Sequence, residues 1–200
     1  GSVIATFDFP IYKTDEAIKH EQDSLLRQFQ PYYTVNSNVG NEQIKRFLHD
    51  FSQGIPGLPK EYVELIANQL KQVYQTGIVS TPEYNRIYKD STSMIRIISG
   101  KNAKSFPIGN FYSTIAAYEH IFFDEKISAQ RQILSRCNLN DYVEPNLIYD
   151  KERSEAERTD LLSSIPLASG MVMSGQKIID RGEVINDYTS RVLTSFDKET

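Results

Sequence analysis

The sequence predicts an α+β fold, with a mainly helical body, a small central sheet and a compact β-unit near the C-terminus. Three observations carry this prediction. Apolar residues recur at helical intervals through the first two-fifths of the 200 residues. The β-branched run Ser93-Met94-Ile95-Arg96-Ile97-Ile98 then breaks that pattern. Near the end, glycine-led units of β-formers begin at Gly175 and again at Gly182, each running into turn-prone Asp or Asn.

Taken in order, Ile18, Leu25, Leu26 and Phe29 mark a first helix that Pro31 closes. Asn41 is placed to cap a second, whose Ile44, Phe47, Leu48 and Phe51 share one face and which Gly54 stops. Pro59 suits the first position of a third, carried by Tyr62, Ile66, Gln69, Leu70, Val73 and Tyr74 to Gly77. The run 93–98 reads as a strand ending at Ser99-Gly100. Lys104–Ile108 is its expected partner, and Pro107 puts that partner at an edge. Helices are expected again at about 113–123 and 127–137, and at about 151–163 with Asp150 as cap. Ser154, three residues before Glu157, supports that last start, and Pro166 ends the run. Gly175–Asp180 and Gly182–Asp187 read as short strands with tight corners. A terminal amphipathic helix follows, carried by Tyr188, Val192, Leu193 and Phe196. Residues 3–200 are expected to form one domain, with the helical body at about 10–165 and the β-unit with its helix at about 166–197; Gly1-Ser2 reads as the scar of a cleaved tag.

Composition excludes several function classes. Lys and Arg number 22 against 26 Asp and Glu, a net charge of −4, so the concentrated basic surface that tracks phosphates is not expected and neither is a nucleic-acid partner. The most apolar runs, such as Ile121-Phe122-Phe123, fall far short of the roughly 18 residues of a membrane helix. Cys137 is alone, which rules out an internal disulfide and any zinc site built on several cysteines. Trp is absent, which disfavours a sugar-stacking module.

Motif by motif, the chemistry is sparse. His49-Asp50 has the form of the metal-binding pair of HD phosphohydrolases, with His20 upstream and Asp90 or Asp124 as a last ligand. Such enzymes need further histidines and a Lys after the pair, which Phe51-Ser52-Gln53 does not supply, so a polar helix flank is the expected setting. His120 lacks a second histidine at helical spacing and reads as a surface or capping residue. Gly54-Ile55-Pro56-Gly57 is not a phosphate loop, and Ser169-Gly170 and Ser174-Gly175 are not nucleophile elbows. The stretch 141–160 holds seven acids and three bases without EF-hand spacing, and reads as a solvated helix face. The pairs Tyr32-Tyr33, Phe111-Tyr112 and Phe122-Phe123 are each expected to put one ring in the core and one outward. No catalytic, cofactor-binding or metal-binding residue is assigned.

One pattern reaches further. Glu144-Pro145-Asn146-Leu147-Ile148-Tyr149-Asp150, then Ser154 and Arg158, then Ile165-Pro166, precede Gly175-Gln176-Lys177-Ile178-Ile179-Asp180-Arg181-Gly182-Glu183-Val184-Ile185. This resembles the extracytoplasmic domain of bacterial seven-transmembrane HD-domain phosphohydrolases. Ser154 stands where Thr is commoner, which keeps the hydroxyl, and Phe7–Lys13 looks like the beginning of such a domain just after a first membrane helix. The resemblance implies a non-catalytic sensory or regulatory domain held outside the cytoplasm by flanking membrane helices. The parent protein would hydrolyse a cyclic dinucleotide, cyclic di-AMP, in a cytoplasmic HD domain that holds the divalent metal. The domain itself would take no cofactor. Its partner would be an extracytoplasmic ligand or envelope protein, with a homodimer as one arrangement.

The residues also suggest a latch. Asn146, Asp150, Ser154 and Arg158 are spaced by four, one face of any helical portion, with Arg158 reaching the 175–185 strands. Two competing readings remain: a stand-alone HD-type metallophosphohydrolase using His20, His49, Asp50 and Asp124, and a structural module for dimerisation. For the sensory reading, both chain ends are expected near one face.

Overall fold

Short strands open the chain where the sequence pattern assigns none. The computed structural model describes residues 2–89, 93–179 and 186–199, and the chain divides into two compact units. The first unit joins residues 1–29 to 155–200, and the second is 30–154.

In the first unit, β1 (Val3–Ile4) and β2 (Phe9–Tyr12) lead to helix α1 (Asp15–Leu26), whose N-cap Thr14 accepts a hydrogen bond from the Ala17 N–H. Much later in the chain come β9 (Ala168–Val172), β10 (Lys177–Ile179) and helix α9 (Asp187–Glu199). β1 pairs with β10 and β2 with β9, both antiparallel, so the C-terminal β-unit is completed by the first dozen residues of the chain. Phe9, Ile11, Val172 and Val192 are buried together, with the Phe7 ring stacked on Phe196 at 5.5 Å. β2 and β9 escape the sequence pattern because Pro10 and Gly170 are poor strand formers and the pairing spans some 160 residues. The second glycine-led unit, Gly182–Ile185, lies outside the described residues, as does Asp90.

The second unit contains the larger core. Its elements begin with β3 (Tyr32–Val35), α2 (Ser37–Asp50), α3 (Glu61–Thr76), β4 (Ile78–Val79) and α4 (Thr81–Ile87). Then follow β5 (Met94–Ser99), β6 (Asn102–Pro107), β7 (Tyr112–Ser113), α5 (Thr114–Ile121), α6 (Glu125–Ala129), α7 (Arg131–Leu134) and β8 (Leu147–Tyr149). Helix α8 (Lys151–Ser163) begins here and continues into the other unit's residues. The central sheet runs β6-β5-β3-β8, with β3 parallel to β5 and the outer pairs antiparallel; β4 and β7 form a small parallel pair. The expected hairpin is therefore present, with β6 at an edge. Helices α2, α3 and α5 enclose Phe47, Ile66, Leu70 and Ile121, and a second cluster under the sheet holds Tyr33, Val79, Ile95 and Leu147.

Several local expectations are corrected. Helix α2 starts five residues early, on Asn36, whose side chain accepts from the Asn38 N–H. Asn41 is therefore interior to the helix, as is Gly40, where Tyr74 leaves no room for a side chain: an added Cβ would stand 2.9 Å from the Tyr74 Cβ. The helix expected at 127–137 is broken into α6, α7 and a 3-10 turn at Ser135–Cys137. Tyr32 and Tyr33 are both buried. Tyr33 fills the core, while the opposite face is covered over Tyr32 by Arg96, which donates to its hydroxyl at 3.0 Å, and by Arg153 at 5.0 Å from its ring. Phe111 and Tyr112 are both half-buried, whereas Phe122-Phe123 does split, with Phe123 73% exposed.

Candidate functional site

The residues of the Asn146–Arg158 pattern take three different backbone settings. Leu147–Tyr149 is a strand, so Asn146 does not share a helical face with the others. Asn146 is buried between α3 and β4, where its Oδ1 accepts from the Ile78 N–H at 2.7 Å and its Nδ2 donates to the Tyr74 carbonyl at 2.9 Å. Its own backbone N–H donates to the Ile78 carbonyl, and its carbonyl accepts from Asn36. Asp150 caps α8 as expected, with Oδ1 accepting from the Arg153 N–H at 3.0 Å. Ser154 takes no part in a capping box. It is 0% exposed and its Oγ accepts from the Tyr32 N–H at 2.8 Å, fastening α8 to β3. Arg158 is exposed and has no hydrogen bond or ion pair among the described residues, so the latch ends at Ser154. Asn146, Asp150 and Ser154 of the pattern join α3, β4, β3 and α8.

Each of the four HD-type candidates has a local setting of its own. His20 is exposed on α1 in the first unit, and His49 is exposed at the end of α2 in the second. Asp50 accepts from the Tyr142 hydroxyl at 2.6 Å and faces Arg46 at 4.0 Å, so its carboxylate is engaged in holding the 139–142 turn against α2. Arg46 covers the Tyr142 ring at 4.3 Å. Burial, with Asp50 as hydrogen-bond partner, pushes the Tyr142 hydroxyl up to about 12. Asp124 is the N-cap of α6, accepting from the Ile127 N–H. His120 packs between Tyr112 and Phe123, its Nδ1 3.3 Å from the Tyr112 hydroxyl. Cys137 is half-buried, which raises its thiol pKa and suppresses the thiolate. Among the described residues no group of three or more His, Cys, Asp or Glu is arranged to hold a metal ion.

Concavity lies elsewhere, along the antiparallel pair α2 and α3. A hollow of about 460 Å³ is lined by Leu48, Phe51, Val63 and Ala67 together with Lys60 and Lys71. A second, of about 350 Å³, adjoins it at Lys71 and runs on past Ile44, Asn41, Tyr74 and Gln75 to Asn146. The lining positions on each helix recur at three- and four-residue steps, so both hollows lie on the same face of the pair. The apolar periodicity marks the buried faces of these helices and passes over their flanks. The signal for the flanks is present as Lys60, Glu64, Asn68 and Lys71, spaced along one edge of α3.

Both chain ends belong to the first unit. Phe7 stacks on Phe196, the Tyr12 N–H donates to the Ser195 hydroxyl at 2.6 Å, and the Tyr12 hydroxyl donates to Glu199. Among the described residues no helix is long and apolar enough to cross a membrane. No curated protein and no solved structure gives a significant match to the chain. A family model does match, over residues 2–198, and its description is 7TM-HD extracellular. With nearly the whole sequence covered, the chain belongs to the family of extracellular domains of 7TM-HD proteins.

Proposed function

We propose that this domain senses a ligand or envelope partner outside the cytoplasm and passes its occupancy through flanking membrane helices to a cytoplasmic HD phosphodiesterase that hydrolyses cyclic di-AMP. The observation that carries the reading is the family match over 2–198, joined to the packing of the first strands against the last helix. Segments packed on one another in one unit cannot be displaced independently, so a ligand that favours one arrangement of that unit moves both ends together. The divalent metal that activates water belongs in this reading to the HD domain, and the extracellular domain binds no cofactor. A homodimer is compatible with the same mechanism.

The test uses the full-length parent in membranes. An alkaline phosphatase fusion within the domain should be active, as expected outside the cytoplasm. Phe196→Ala, which loosens the packing of the chain ends, should change the rate of cyclic di-AMP hydrolysis at unchanged protein level. Unaltered hydrolysis with a loosened first unit, judged by protease sensitivity, removes the coupling role. An inactive phosphatase fusion removes the location.

A further inference from the structure

We propose that the groove along α2 and α3 binds an extended peptide segment of about seven residues carrying an acidic side chain where it passes Lys71. The two hollows share Lys71 and follow one face of the helix pair, so they form a single furrow. From Lys60 to Gln75 it spans roughly 22 Å at the helical rise per residue, the reach of about seven residues of extended chain. Among its lining residues Lys60 and Lys71 face a single acid, Glu64, in a chain whose net charge is −4. Neither lysine has an ion-pair partner among the described residues. The furrow therefore offers local positive charge at one end and about three-quarters of the way along, complementary to an anionic occupant.

The remaining polar lining chooses among anions. Asn41, Asn68 and Gln75 stand along the furrow, exposed, and their side chains make no hydrogen bond inside the chain among the described residues. Each carboxamide offers both donors and an acceptor, the pattern that an extended backbone with free N–H and C=O groups requires. A helical occupant has already satisfied those groups within itself, and an acyl chain has none to satisfy. The apolar lining residues Leu48, Phe51, Val63 and Ala67 supply side-chain contact.

The groove stands on the geometry of the second unit alone; making it the sensory site rests on the reading in the preceding subsection. The probe is an immobilised library of seven-residue peptides with Asp or Glu at varied positions, beside a matched library with Asn or Gln in their place. The full chain should retain acid-containing peptides selectively. Lys71→Glu should weaken the best peptide about tenfold or more by anisotropy, as removal of a close charge pair does. Asn68→Ala with Gln75→Ala should weaken it by about threefold, the loss of one or two net hydrogen bonds. Lys101→Glu, at the β5–β6 turn, should leave it unchanged, and circular dichroism checks that each variant is folded. Equal retention of the amide-matched library, indifference to Lys71→Glu, or selection of helix-forming peptides overturns the proposal. A peptide that binds the chain yet leaves hydrolysis by the full-length protein unaltered keeps the groove and removes its signalling role. Failure of every peptide removes the groove and leaves that signalling reading untouched.

Discussion

Asn146 ties three segments together with one carboxamide, which offers an acceptor and donors from a single short side chain. Its removal strands the Ile78 N–H and the Tyr74 carbonyl inside the protein. Asn146→Ala should therefore cost about 2–4 kcal/mol, read as a lower urea midpoint, since each buried group left unpaired carries a full desolvation penalty. The residue beside this joint titrates abnormally. The Tyr74 hydroxyl donates to the Tyr142 carbonyl and accepts from the Glu144 N–H, and burial pushes its pKa up to about 12, as for Tyr142. Both groups ionise near 10 when unfolded. Between these values the native state holds protons that the unfolded chain has released, so this contribution is intact below pH 10 and is lost as pH rises toward about 12. A thermal midpoint falling across that window, with delayed tyrosinate absorbance, is the expected result. Asn146 itself is legible in the sequence as a marked residue. Its role is not, because its partners lie about seventy positions away.

Helix α3 ends because Gly77 takes φ +111°, a conformation closed to most side chains, while Phe111 and Leu147 crowd its α-carbon. A Cβ there would stand 3.0 Å from the Phe111 ring and 3.1 Å from Leu147. Gly77→Ala should cost about 1–3 kcal/mol by thermal unfolding, from strain and crowding together. At α8 the outcome is the reverse: Arg158→Ala should shift stability by less than about 0.5 kcal/mol, because the side chain is exposed and unpartnered. Ser154→Ala, one turn earlier on the same helix, should cost about 1–3 kcal/mol by leaving the Tyr32 N–H unpaired. Spacing by four suggests equal roles for the two residues. Burial separates them, and burial depends on which element lies opposite.

At the scale of the molecule, the second unit is a continuous segment, 30–154, with two buried clusters of its own. Produced alone, extended to Ser163 to complete α8, it should unfold in a single cooperative transition by circular dichroism; a broad, non-cooperative melt would show that it depends on the flanking segments. The first unit is discontinuous, closed by pairing residues 3–12 with 168–179, and neither half should fold without the other. That arrangement places both chain-terminal segments in one unit, as the sensory reading requires.

The sequence by itself determined the fold class, the three amphipathic helices, the β5–β6 hairpin, the Asp150 cap and the family, because periodicity, capping and a linear motif are properties of neighbouring residues. Only the tertiary structure decided that β1 and β2 complete the C-terminal β-unit, that β3 runs parallel to β5, and that Asp50 accepts from the Tyr142 hydroxyl. It also decided that the flanks of α2 and α3 form a furrow. Each of these is a pairing between segments far apart in the chain. Local propensity leaves such pairings open, and burial and hydrogen-bond satisfaction select among them only once the chain has closed.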